Sequence, residues 1–251
     1  MRLWLVWLGL GVLSVTLLGL LPPTRAAIFE QVVPEDILAL VVVTNPPSSL
    51  DFLDQVQLSQ WLDLDSRTVI ESVPESLQDP LWSLLVEEVK SVWVLIHQLA
   101  RKENESWRIH FTALLIPGSP DRPQALEVPI ERAVRNLFGE EHLETSEHQN
   151  ILIYSGKDPG QVLYQVRMPD YLLVSNSSEG LQKTLRTVAG KEKSLSTDRS
   201  YQSVKNQLAV DGGLFVFFRA NRLLPLLPEF GYLVRWQEGR ISEQYYQVSD
   251  P

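Results

Sequence analysis

The sequence predicts an α+β fold: a mainly antiparallel sheet with helices packed on one face, preceded by an N-terminal apolar helix. Three observations carry this. Strand-like runs arrive as neighbours joined by short polar turns. Runs with helical spacing fall between those groups, opened by capping residues or prolines. Leu3 to Leu21 is an unbroken stretch of 19 uncharged residues.

Ile37 to Thr44 is short, β-branched and bounded by Pro34 and by Asn45-Pro46-Pro47, which predicts a buried strand. Ser48 and Ser49 offer caps for a helix carrying Leu50, Leu53, Val56 and Trp61. Asp79-Pro80 opens a second helix. Ser91 to Ala100 and Trp107 to Ile116 flank the polar turn 101–106 and predict a hairpin. A symmetric turn sets Ile96 opposite Phe111, Val94 opposite Ala113 and Val92 opposite Leu115, one continuous apolar face. The same register sets His97 opposite His110, Leu95 opposite Thr112 and Leu99 opposite Arg108.

Pro129 opens a helix with Ile130, Val134, Leu137 and Phe138 on one face and Gly139 at its end. Asn150 to Ser155, Gln161 to Arg167 and Tyr171 to Ser175 predict a three-stranded meander. Asn176, with Glu179 three residues on, is read as a helix cap before Leu181, Leu185 and Val188. Tyr201, Val204 and Leu208 mark a further helix. Gly213 to Ala220 is a buried-type strand, and a short Leu-rich helix runs from there up to Pro228. Tyr232 to Trp236 and Ile241 to Tyr245 flank Glu238-Gly239 as a closing hairpin.

Leu3 to Leu21 spans roughly 28 Å as a helix, close to the hydrocarbon thickness of a bilayer. Arg2 precedes it and Pro22-Pro23 stop it. Thr24 and Ala26 then offer small residues for signal peptidase. Residues 1–27 are therefore a cleaved signal peptide or an uncleaved anchor, and 28–251 a single extracytoplasmic domain, periplasmic or secreted, or tethered to the inner membrane by residues 3–21.

Composition excludes several function classes. The chain has 251 residues, ample for a buried core. Its net charge is −9, and the first 27 residues carry Arg2 and Arg25 without an acid, so the remainder is more acidic still. Such a surface repels nucleic acid and anionic headgroups, leaving the N-terminal segment, if uncleaved, as the membrane contact. A protein partner is left open and unidentified. Cysteine is absent, which removes disulfides, thiolate metal sites and cysteine nucleophiles. An exported protein without disulfides suits a bacterial envelope.

No catalytic motif stands out, and none calls for a cofactor. Gly190-Lys191 lacks the upstream glycines of a phosphate loop and reads as a solvated loop after a helix end. Asp63 and Asp65 read as the end of a helix rather than a cation site. Glu140 to His148 collects two His and four Glu, but without metal-ligand spacing, and reads as a solvated acidic loop. His97 and His110 are the more specific weak candidates for a shared metal or proton, with a half-buried polar pair as the plainer reading.

Three stretches succeed one another along the chain: Tyr171 to Leu181, Ser194 to Tyr201, and Gly213 to Asn221. This order, with Pro34 to Val43 as an opening strand, resembles a family of exported bacterial proteins known only as a domain of unknown function. The resemblance covers residues 34–222 and rests on packing patterns. It implies an α+β fold on the envelope side of a membrane and carries no functional residue. Family members are often longer, so the resemblance aligns this chain with a first half and the start of a second.

Three functions are consistent with these features. The first is a non-catalytic extracytoplasmic binding or scaffold module of a bacterial envelope, favoured by the lack of a catalytic constellation. The second is a subunit of an envelope assembly, pairing through a strand edge or apolar patch. The third is an envelope hydrolase whose carboxylates or histidines only the fold would assemble.

Overall fold

A computed structural model describes residues 29–44, 89–101, 107–118, 123–157, 160–208, 210, 213–223, 228–237 and 240–248. The N-terminal apolar segment, the two helices read between Ser48 and Glu88, and Asp63 and Asp65 lie outside these residues.

Among the described residues ten strands form one sheet: β1 (Ala39–Thr44), β2 (Val89–Arg101), β3 (Trp107–Pro117), β4 (Glu144–His148), β5 (Ile151–Ser155), β6 (Val162–Arg167), β7 (Leu172–Ser175), β8 (Gly213–Arg219), β9 (Glu229–Gln237) and β10 (Arg240–Gln247). Their order is β10-β9-β8-β1-β2-β3-β7-β6-β5-β4. Every neighbouring pair is antiparallel. Three α-helices are described: α1 (Glu127–Phe138), α2 (Ser178–Val188) and α3 (Arg199–Leu208). The α+β class is thus observed. One aligned row runs through all ten strands, from Glu147 and Leu152 through Val41 and Val216 to Tyr232 and Tyr245.

The sequence predicts helices on one face of the sheet; the structure places them on both. Ile130, Ala133, Val134 and Phe138 of α1 pack in one cluster with Val41, Val43, Val92, Val94, Ala113 and Leu115. Leu181 of α2 and Tyr201, Val204 and Leu208 of α3 pack in the other, with Leu40, Val42, Leu95, Leu114, Phe215 and Phe217. Alternate residues of the central strands point to opposite sides. Because β1 is apolar at successive positions, both of its sides need cover. Tyr201 stacks edge-on to Phe217 with ring centroids 5.4 Å apart, and both rings are almost fully buried.

The β2–β3 register matches the predicted apolar face: Ile96 opposes Phe111, Val94 opposes Ala113 and Val92 opposes Leu115. Leu95 also opposes Thr112 as predicted. Beyond Ile96 a β-bulge shifts the pairing by one, so Gln98, not His97, opposes His110, and Leu99 opposes Ile109 rather than Arg108.

Two further corrections concern local structure. The acidic run ending at His148 contains a strand: β4 is exposed at every residue and pairs along its backbone with β5. With neither face buried, it shows no apolar alternation to read. Ser177, not Asn176, caps α2, its side chain accepting from Gly180 N at 3.1 Å. Asn176 instead ties the helix entrance to β3, accepting from Phe111 N at 2.9 Å and donating to Ile109 O at 2.7 Å. A buried Asn satisfies the end of a strand ladder better than an already capped helix turn.

Candidate functional site

The bulge takes the two candidate histidines out of direct register, but His110 stays near enough to disfavour charge on His97. His97 occupies the bulge and points into the α2 side of the sheet. Its Nε2 lies 2.9 Å from Thr112 Oγ1, which donates to Ser175 Oγ at 3.1 Å; Ser175 Oγ in turn lies 2.6 Å from Phe111 O. This chain of donors runs in one direction if His97 is neutral and carries its proton on Nε2. Burial lowers the His97 pKa to about 4, aided by the positive charge of Lys183 and by His110, against the opposing pull of Asp36. The imidazole therefore works as a neutral structural donor at physiological pH. Among the described residues no group of three metal-ligating side chains occurs.

The Gly190-Lys191 motif lies at the end of α2. Gly190 has φ +67° and donates to Thr187 O, while Lys191 N donates to Arg186 O. That is a helix-terminating turn which needs glycine's left-handed conformation, with no phosphate geometry.

The sequence did not single out an open cleft of about 410 Å³ at the β4–β5–β6 end of the sheet, on the α1 side. Glu127, Glu147, Asn150, Leu152, Gln165 and Arg167 line it. Three elements build it. Glu147, Leu152 and Gln165 form one cross-strand row on β4, β5 and β6. Asn150 sits in the two-residue hairpin turn between β4 and β5, where Gln149 and Asn150 both have positive φ. Glu127 comes from the first turn of α1, where a carboxylate is favoured by the helix dipole.

Arg167 of β6 is already engaged. Its Nε and Nη2 donate to the two oxygens of Glu127, a bidentate pair. Gln165 is 4% exposed and accepts through Oε1 from the Tyr154 hydroxyl at 3.3 Å. Burial, with Glu131 and Glu127 nearby, pushes the Tyr154 pKa up to about 12, so its hydroxyl stays a donor. The cleft thus combines an apolar floor residue, a locked ion pair and polar groups open to a ligand. The only sequence signal for it was the acidic run that became β4.

Fold and cleft together define an α+β protein built on a ten-stranded antiparallel sheet, with a polar cleft beside one edge strand. Comparison with protein-family models, curated proteins and solved structures finds no match to this chain. Among the described residues no helix is long and apolar enough to cross a membrane.

Proposed function

We propose that this chain is a non-catalytic extracytoplasmic binding or scaffold module of a bacterial envelope, akin to the exported family of unknown function that its sequence resembles. One observation carries the binding role: edge strand β4, exposed at every residue, borders a cleft whose polar groups are set on strands and a helix. Rigid strands hold such groups in fixed positions, and an open cleft at a sheet edge favours recognition of a partner. The extracytoplasmic placement rests on Leu3 to Leu21 and the prolines after it.

Membrane fractionation with N-terminal sequencing of the native product tests the placement. A chain recovered from the cytoplasm would overturn it. A photoreactive amino acid at Thr145, on exposed β4, tests the binding role in cells. Discrete adducts from Thr145, absent when the probe sits at exposed Glu179 of α2, are expected. Indiscriminate or absent labelling from Thr145 contradicts the binding role.

A further inference from the structure

Three polar groups of the cleft have no hydrogen-bond or ion-pair partner among the described residues: the Glu147 carboxylate, the Asn150 carboxamide and the Gln165 side-chain nitrogen. Gln165 is the most informative. Its oxygen is taken by Tyr154, so its NH₂ is left as a donor at a position that is only 4% exposed and lines the cleft. That nitrogen is not among the fully buried unbonded atoms and opens onto the cleft, where a ligand carbonyl can take the place of water.

Glu147 makes the complementary demand. It supplies a carboxylate from exposed β4, in the same cross-strand row as Gln165 and one strand further from it than Leu152. Arg167 cannot neutralise it, because Glu127 occupies its fork. With two carboxylates and one guanidinium the lining is net negative. An anion is disfavoured, and a cation with a neighbouring carbonyl is favoured. Leu152, between Glu147 and Gln165, offers apolar surface to a methylene stem.

The geometry points to a lysine- or arginine-bearing peptide segment as the occupant of this cleft. Its cationic head meets Glu147, its aliphatic stem lies on Leu152, and a backbone carbonyl accepts from the Gln165 nitrogen. A volume of about 410 Å³ lies in the range of small-ligand sites and admits a short stretch of chain. This names the ligand chemistry of the binding module proposed above and rests on that reading.

The test is an NMR titration of the native chain with the peptide acetyl-Gly-Lys-Gly-amide, reading the side-chain amide signals of Gln165 and Asn150. Both signals are expected to shift. Binding should weaken about tenfold in Glu147→Gln and at high ionic strength, as for a charge-assisted contact. Glu144→Gln, on the opposite side of β4, should leave it unchanged. Both substituted residues are exposed, so folding is not at stake. Equal binding of acetyl-Gly-Glu-Gly-amide, no response to the lysine peptide, or indifference to Glu147→Gln would overturn the assignment. If adducts at Thr145 persist in any of those cases, the binding module stands and only its ligand chemistry falls.

Discussion

Gly180 lies so close to His97 that a Cβ at position 180 would come within 2.4 Å of the imidazole Cδ2 and 2.8 Å of Nε2. The first turn of α2 rests directly on the ring, which is carried by the residue at the β2 bulge. A helix element and a strand irregularity thus fix each other's position.

Alanine is the better helix former by about 1 kcal/mol, so Gly180→Ala would stabilise an isolated α2. In the folded protein it should destabilise by about 1–3 kcal/mol, because the imidazole must leave Thr112. Urea unfolding checks this. The double variant Gly180→Ala with His97→Ala should lose less than the sum of the single losses, since the clash disappears with the ring.

His97 should make stability acid-sensitive. Its folded pKa of about 4 lies below the ordinary histidine value of 6.5, so the unfolded chain takes up the proton first. Its contribution is complete above pH 6.5, falls as pH drops through that value, and levels off near pH 4. The loss is on the order of 3 kcal/mol. His97→Gln should flatten this part of the stability–pH curve measured by denaturant midpoint. An unchanged slope between those two pH values would refute the assignment.

Arg219 is 5% exposed, with Nη2 2.7 Å from Asp198 Oδ2 and the guanidinium 5.4 Å from the Phe217 ring centroid. The Asp198 contact is an ion pair without hydrogen-bond alignment, and Glu229 Oε2 nearby is also unbonded among the described residues. Arg219→Met should therefore cost about 3–5 kcal/mol, leaving two mostly buried carboxylates uncompensated. Adding Asp198→Asn and Glu229→Gln should restore much of it. Asp198→Asn retains an oxygen for the cap that Tyr201 N now makes with Asp198 at 2.7 Å. Calorimetric melting of the single and triple variants reads both effects.

Gln149 has φ +50° and Asn150 φ +65° in the β4–β5 turn. Only the second residue suits that conformation well. Gln149→Asn should raise stability by about 0.5–1 kcal/mol without moving the cleft, since the backbone is already in place. Thermal unfolding checks the gain, and unchanged lysine-peptide binding checks the geometry.

Features that depend on local alternation and local chemistry were legible in the amino-acid order alone. The apolar pairing of Val92, Val94 and Ile96 with β3 is one, because period-two patterns survive without knowledge of the rest of the chain. Gly190 marked the end of α2, and the spacing of Tyr201, Val204 and Leu208 marked the buried side of α3, for the same reason. Three other features came from tertiary packing. The bulge falls at His97, whose ring meets Gly180 from a distant part of the chain, a contact that local sequence does not record. The helix α1 went to one side of the sheet and α2 and α3 to the other, because an amphipathic helix records that it has a buried side and not which face receives it. Glu144 to His148 became a strand, whose backbone pairs while its side chains stay in water. The cleft depends on that last step. Glu147 and Gln165, on strands separated by β5, enter one row only when β4, β5 and β6 stack in register.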